Sequence, residues 1–391
     1  MKLSYFSSST VPSRTANSVH VVKMAEALAL TGAKVTLLAR IRTADEIKAA
    51  RDPYEFYGVD QVFSMTRIPW QRRSIFSAVT YALRGLAQIL RDRPDLVVSR
   101  NMLGSWLASF AGFAVIHEAH SPEHLEGKAK EFLLRTMMRR KTFKGLIVIS
   151  TPLKESFLES GLARGKPITV LPDGASVSGA RDSEHLARTE PGPFVVGYAG
   201  SLYTGRGIEL IVLIARSCPW AEFVVAGGDE TFVDQLRSAH EDVKNLTFLG
   251  HLAPSAVPQF LRGCSALVAP YQVDTSDAVG RNTATWMSPL KIFEYMAAGR
   301  PIVASDLPAL KEVLRHGDNS LLVASGDVEA WAMTLRKIRD EPAWGEALAA
   351  AAYSEVKSDY SWKTRARRVI EIYSSAADPK SSGRSRYRPP S

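Results

Sequence analysis

The chain has 391 residues, 46% of them hydrophobic and 23% charged, with a formal net charge of +9. That length is too great for one ordinary core and suits two domains of roughly 150–200 residues each. The charge is uneven: residues 1–180 hold 25 Lys and Arg against 15 Asp and Glu, and the remainder holds 24 against 25. A one-sided basic field attracts anionic partners. No RNA- or DNA-binding motif accompanies it, and aromatic-basic interleaving is confined to Tyr387 in the tail, so no nucleic acid is expected. Cys218 and Cys264 are far apart and make no metal-ligand pattern, which suits two buried thiols in a reducing compartment. The opening MKLSYFSSS has no signal-type apolar run, and the weakly polar run from Ser105 to Ile116 is well short of the ~20 residues that span a bilayer. A cytoplasmic protein without a transmembrane helix is expected.

Along the chain, Lys2–Phe6 reads as a strand. Ser18–Leu30 reads as an amphipathic helix, with Val21, Met24, Ala25, Leu28 and Ala29 at helical spacing. Gly32 ends it, and Lys34–Ala39 is the next strand. Leu96–Ser99, Ala114–His117 and Gly145–Ile149 are later apolar runs, and Ile168–Leu171 is a strand closed by the turn Pro172-Asp173-Gly174. The pattern then restarts at Phe194–Tyr198: helix Gly207–Ala215, strand Glu222–Ala226, helix Phe232–Ala239, strand Thr247–Leu249, a helix, and strand Ala266–Ala269. Two alternating blocks predict an α/β protein of two Rossmann-like, doubly wound domains facing a cleft. Ligands in such sheets bind beyond the carboxyl ends of the strands. The predicted boundaries are an N-terminal domain 1–178, a polar linker 179–192, a second domain 193–360, a helix 361–377 packing back on the first domain, and a disordered basic tail 378–391.

The most informative segment is MSPLKIFEYMAAGRPIVASD, Met287 to Asp306. Ser288 suits an N-cap and Pro289 the first helical position. Leu290, Phe293 and Ala297 make an apolar stripe, Gly299 stops the helix, and Pro301–Ala304 is the following strand. A helix N-terminus offers free N–H groups and a positive dipole end to an anion. Lys291 and Glu294, three apart, share a face beside it. A cation near a diphosphate and an acceptor for ribose hydroxyls are what a nucleotide-sugar site requires; a surface Lys–Glu pair is the plainer alternative. A second segment, VVGYAGSLYTGRGIEL, gives a strand, a Gly-rich turn and a helix. Gly200 and Gly205 let backbone approach a ligand, and Arg206 offers a fork for phosphate oxygens. Gly227-Gly228-Asp229 and Gly250-His251 are further turns of that block.

These stretches resemble glycosyltransferase family 4, a retaining type with the GT-B fold found in bacterial polysaccharide and glycolipid assembly. GSLYTGRGIELI, VVAGGD, FLGHL, ALVAPY and SPLKIFEYMAAGRPIVASD stand in the order of that family's donor domain. SVHVVKMAEALALTGAKVTLLA, PDLVVSRN, VIHEAHSPE, VISTPLKESFLESG and VLPDG look like its acceptor-side domain. The resemblance runs from about residue 1 to about residue 373 and implies an enzyme that takes a nucleotide-diphosphate sugar; with Arg206, Lys291 and a helix N-terminus as the phosphate cations and no paired-Asp metal motif, neither a metal nor another cofactor is expected. It implies that Glu294 holds the donor ribose, that Arg206 and Lys291 face the diphosphate, and that His120 lies near the sugar. It places Gly200, Ser201, Gly250, Ser288, Pro289 and Leu290 around the nucleotide. Pro289 has no N–H to donate, so phosphate donors there come from the residues after it. Retention of configuration follows from the resemblance alone.

Three departures stand out. The family's first Glu, eight residues before Glu294, is Trp286. Asp274 and Asp277, in the polar stretch between, are candidates for its contacts with the sugar. An Arg expected after Gly200 is Ser201, and a Gly-Gly loop after the first strand is Thr15-Ala16-Asn17-Ser18. Trp286 keeps open a transferase-like subunit without activity; a GT-B sugar-nucleotide epimerase is the other alternative.

Two basic segments bear on the acceptor, a saccharide or a lipid-linked sugar. Arg67, Arg72, Arg73, Arg84 and Arg91 have no acid between them, and Ile75, Val79, Ala82, Leu83, Leu86, Ile89 and Leu90 make a helical stripe among them. Lys128 to Lys144 carries seven cations against Glu131. Such segments suit an anionic membrane surface on the inner face of the plasma membrane; core-packed helices with solvated basic faces are the alternative.

Overall fold

The computed structural model describes residues 1–41, 52–70, 74–163, 165–177, 192–274 and 285–377. Asp277, Arg72, Arg73, nearly all of the expected linker and the tail 378–391 lie outside the described residues. The described residues form two compact units: those of Met1–Glu55, Val59–Leu171 and 362–377 make the first, and those of Phe56–Gly58 with Pro172–Ser361 the second.

The first unit contains β1 (Lys2–Thr10), α1 (Ala16–Ala29), β2 (Lys34–Ile41), β3 (Ser64–Pro69), α2 (Ile75–Asp92), β4 (Leu96–Ser99), α3 (Met102–Phe110), β5 (Val115–Ala119), α4 (Lys128–Met138), β6 (Phe143–Val148), α5 (Thr151–Glu159) and β7 (Ile168–Val170). Its sheet is parallel, ordered β3-β2-β1-β4-β5-β6-β7 among the described residues. β4 and β5 are buried throughout, as strands covered by helices on both faces must be. β1 runs four residues beyond the predicted Phe6, because Thr10 pairs with Arg40 after an irregularity in the register. Its polar end, Ser7 to Thr10, hides the strand from a search for apolar runs. β3 was not predicted for the same reason: SMTRIP mixes polar and apolar residues and ends in Pro69.

The stripe predicted along α2 is split. Tyr81, Ala82, Gly85 and Ile89 are buried, whereas Ile75, Phe76, Val79, Leu83 and Leu90 are exposed. Gly85 is the reason: a Cβ there would overlap the Phe6 ring, and so would one at Gly104 of α3. Close approach at Gly85 turns the Tyr81–Gly85–Ile89 row inward and leaves the next row out.

The second unit contains β8 (Phe194–Ala199), α6 (Ile208–Ser217), β9 (Ala221–Ala226), α7 (Glu230–Ala239), β10 (Leu246–Gly250), α8 (Val257–Gly263), β11 (Ala266–Ala269), α9 (Leu290–Ala298), β12 (Ile302–Ser305), β13 (Leu321–Val323), α10 (Val328–Asp340) and α11 (Pro342–Ser358). Its parallel sheet is ordered β10-β9-β8-β11-β12-β13. Cys218 and Cys264 are both buried and unpaired. The segment after Leu171, placed by the sequence in the first domain as far as 178, belongs to this unit. The Asp173 N–H donates to the Ser288 hydroxyl at 2.9 Å, and the Ala175 N–H to the Tyr360 carbonyl at 3.0 Å.

α12 (Trp362–Ala377) returns to the first unit and packs on α1 and β6. Among the described residues no helix is long and apolar enough to cross a membrane.

Candidate active site

In the second sheet the strand order reverses between β8 and β11. The loops leaving these two strands stand at the carboxyl ends, the crevice position where open α/β sheets take ligands. One loop runs from Gly200 to Gly207 and enters α6; the other is described from Pro270 to Asp274 and again from Thr285 to Pro289, where α9 begins. They are tied together. The Gln272 N–H donates to the Gly205 carbonyl at 2.8 Å, and Gly207, at φ +81°, packs so tightly that a Cβ would overlap the Pro270 carbonyl oxygen. Neighbouring strand ends are joined too: Gly200 N–H to Ala226 O at 3.0 Å, and Gly227 N–H to Gly250 O at 2.7 Å. Gly200 and Gly250 therefore shape the strand ends with their backbones.

α9 is anchored to β8 by Tyr295, whose hydroxyl accepts from the Ala199 N–H at 2.8 Å. That anchor carries Lys291 into the crevice. Its Nζ sits 3.7 Å from the Tyr198 ring centroid and 4.9 Å from that of Tyr271, and a Cβ on Gly200 would lie 2.7 Å from it. This Nζ is buried and has no hydrogen-bond partner among the described residues. The Arg206 guanidinium carbon lies 5.1 Å from the same Tyr271 ring centroid, and Arg206 hydrogen-bonds with the Tyr271 hydroxyl. Burial, reinforced by the Arg206 charge, pushes the Lys291 amine well below the usual lysine range, and Glu294 only partly opposes this. A buried amine without a partner is costly unless a ligand supplies one.

Ser288 is not the N-cap. Pro289 holds that position, and no side chain among the described residues caps α9. The reason is that the Ser288 hydroxyl is engaged by the Asp173 N–H. The uncapped helix end, Lys291 and Arg206 thus form a donor set for an anion, with Glu294 one turn on. Leu290 is buried at the first turn, and the Ser201 carbonyl accepts from the Tyr198 hydroxyl at 2.7 Å. Trp286 and Asp274 flank the residues 275–284 that lie outside the described set.

In the first unit His120 follows β5 directly. Its Nε2 meets Glu118 Oε1 at 2.6 Å. The same carboxylate oxygen meets His20 Nε2 at 3.0 Å and Arg365 at 2.9 Å, and the Tyr5 hydroxyl reaches Oε2 at 3.4 Å. Burial raises the Glu118 pKa, but Arg365 and His20 outweigh it and hold the carboxyl well below its usual range. Burial and then the Arg100 charge pull His120 down to about 3, against the Glu118 hydrogen bond, so His120 is a neutral imidazole. Sequence reasoning found His120 but missed Glu118, His20, Arg100 and Arg365. The signal was a carboxylate in a buried apolar strand between two histidines, His117 and His120.

The family description "Glycosyl transferases group 1" matches residues 193–341, and "Glycosyl transferase 4-like domain" matches residues 17–174. The chain belongs to glycosyltransferase family 4. Glycogen synthase of Mycobacterium tuberculosis is 25% identical over 399 residues, spanning 91% of this chain and 90% of that protein. The phosphatidyl-myo-inositol mannosyltransferase of Mycolicibacterium smegmatis is 24% identical over 379 residues, spanning 90% and 88%. Among solved structures, HepE of Anabaena in complex with UDP and glucose superposes with a TM-score of 0.64 at 17% identity, covering 96% of this chain and 100% of that one. The glycosyltransferase thus has the GT-B fold, and its two matched regions fall on its two sheets.

Proposed function

We propose that this glycosyltransferase moves a hexosyl group from a nucleoside-diphosphate sugar, with retention, onto a saccharide or lipid-linked acceptor in surface polysaccharide or glycolipid assembly. The observation that carries the donor reading is the buried Lys291 amine, which has no hydrogen-bond partner among the described residues, beside Arg206 at the β8/β11 switch point. HepE, a structural neighbour, is described with UDP and glucose bound. In this reading Lys291, Arg206 and the first-turn N–H groups of α9 hold the diphosphate, and Glu294 accepts from the ribose hydroxyls.

The bond between the anomeric carbon and the β-phosphate oxygen breaks, and a new bond from that carbon to the acceptor oxygen forms on the same face. The acceptor proton passes to a donor phosphate oxygen, and the nucleoside diphosphate leaves. The cations stabilise its growing negative charge, which is the main electrostatic demand. No metal is required in this scheme. Neutral His120 serves as a hydrogen-bond partner for the sugar.

The lipid-linked acceptor is supported by the exposed row Ile75, Phe76, Val79, Leu83 and Leu90 on α2, with exposed Arg84 and Arg91 alongside. An apolar row flanked by cations matches an anionic bilayer surface. The M. smegmatis relative is named for a phosphatidyl-myo-inositol acceptor.

The test is a screen of nucleotide sugars for protection against thermal unfolding in excess chelator, followed by product analysis. At least one nucleotide sugar is expected to raise the midpoint, because a ligand that binds only the folded state stabilises it. The product should keep the donor's anomeric configuration. A screen without any stabilising nucleotide sugar, or an inverted product, overturns the reading.

A further inference from the structure

Arg40 is the second-last residue of β2, with its guanidinium carbon 4.3 Å from the Trp70 ring centroid and 4.8 Å from that of Tyr81. Trp70 follows β3, and its N–H donates to the Ile41 carbonyl at 2.9 Å. Tyr81 comes from the buried face of α2, and its hydroxyl donates to the Ser7 carbonyl. Three elements therefore hold one guanidinium against two rings. Among the described residues Arg40 makes no ion pair and no side-chain hydrogen bond. Its Nε is buried without a partner, and so is Nε1 of Trp70 beside it. Arg40 as a whole is only partly buried.

An unpaired buried donor is destabilising, more so when it carries charge, and Arg40 Nε bears that cost whether or not a ligand meets the outer edge of the guanidinium. Burial draws the Arg40 pKa down from its ordinary value. Stacking on rings removes the freedom of the side chain while leaving the planar fork free, which is how arginine is readied for a phosphoryl or carboxylate group. The position is the carboxyl end of a parallel sheet, where ligands bind. The excess of Lys and Arg over acids in residues 1–180 favours a group that carries two negative charges.

We propose that Arg40, braced by Trp70 and Tyr81, binds a phosphoryl group of the acceptor. The assignment to an acceptor rests on the glycosyl-transfer reading above; the phosphoryl site itself does not. The Nη edge forms a bidentate contact with two phosphoryl oxygens. The group belongs either to a phospholipid-type headgroup or to a soluble phosphate ester, and the chemistry at Arg40 is the same.

The test uses inorganic phosphate on the whole protein at fixed ionic strength, read by the Trp70 indole N–H resonance, which a Trp70→Phe variant assigns. Phosphate should shift that resonance saturably, and chloride should not. Arg40→Gln should weaken the phosphate effect at least tenfold, and Arg40→Lys, which keeps the charge without the fork, should retain part of it. If phosphate also releases the protein from phosphatidylglycerol vesicles, and Arg40→Gln abolishes that release, the headgroup is the source; if it does not release the protein, a soluble ester is. An unmoved Trp70 resonance, or a shift unchanged in Arg40→Gln, overturns the proposal. Failure of the nucleotide-sugar screen with the Trp70 shift intact would remove the transfer reading and leave the phosphoryl site standing.

Discussion

His120 Nε2 lies 2.6 Å from Oε1 of Glu118, and through that oxygen the imidazole is joined to Arg365 on the last described helix. Arg365 and Glu118 are 3% and 0% exposed, so neither charge has water as an alternative partner. Glu118→Gln leaves the guanidinium buried beside a neutral amide. Removing one member of a buried pair costs about 3–5 kcal/mol. Urea unfolding of the variant should show a loss of that size, and turnover should fall with it because an uncharged amide oxygen holds His120 less firmly than the carboxylate. A variant as stable as wild type would show that the carboxylate does not hold the cluster.

The same pair sets a pH dependence. His120 has a folded pKa of about 3 against an ordinary 6.5, so below about pH 6.5 the unfolded chain binds the proton and the folded one does not. Stability contributed by neutral His120 is therefore complete above pH 6.5 and lost as pH falls towards 3. The depressed Glu118 carboxyl adds a further loss once the unfolded carboxyl protonates, below its ordinary 4.5. Unfolding free energy should decline from pH 6.5 downward, with a shallower slope in His120→Gln. Parallel curves for the two proteins would contradict a neutral His120.

Lys291 makes a prediction of the opposite kind. Its amine is held well below the usual lysine range by burial and by the Arg206 charge. A bound diphosphate beside it should draw that value back up. Calorimetric titration with the nucleoside diphosphate of the donor, in buffers of different ionisation enthalpy, should reveal proton uptake, and Lys291→Met should remove it. The same variant should be more stable than wild type near neutral pH, since it deletes a buried amine without a hydrogen-bond partner among the described residues and keeps an apolar side chain against the Tyr198 and Tyr271 rings. Its turnover should fall about 100-fold or more, the usual cost of losing one preorganised charge stabiliser. Loss of stability together with unchanged turnover would sink the assignment.

What the sequence disclosed follows the range of the interactions. The helix from Leu290, its stop at Gly299 and the next strand were legible because a stripe, a stop and an apolar run are local signals. The glycine turns at the ends of β8, β9 and β10 were legible for the same reason. Ser288 was read as a cap because nothing local shows that Asp173, 115 residues earlier, takes its hydroxyl. Arg365 was invisible as a site residue because its partner Glu118 lies 247 positions away. The stripe on α2 was legible, with a membrane-facing and a core-packed reading both open; periodicity does not show that Gly85 and Phe6 divide it between the two.

The outward row gives a surface prediction. Phe76 and Ile75 are 81% and 77% exposed, so Phe76→Ser should change stability by less than about 0.5 kcal/mol. It should nevertheless weaken sedimentation with anionic vesicles. Binding should fall steeply with salt, since the cations near the surface each contribute about 1 kcal/mol within a Debye length. Full binding by Phe76→Ser, or no wild-type sedimentation at low salt, would remove the membrane from the account.

The most direct measurement of the donor site is a titration of the stabilising nucleotide sugar into wild type and Glu294→Ala, with turnover measured on both. Glu294 sits one turn beyond the N-terminus of α9, on the face that carries Lys291, and it is only partly buried, so its removal should leave the fold intact. The account predicts that Glu294→Ala unfolds at the wild-type midpoint without ligand, binds the nucleotide sugar at least tenfold more weakly and transfers no measurable sugar. A variant with wild-type donor affinity and wild-type turnover would contradict it.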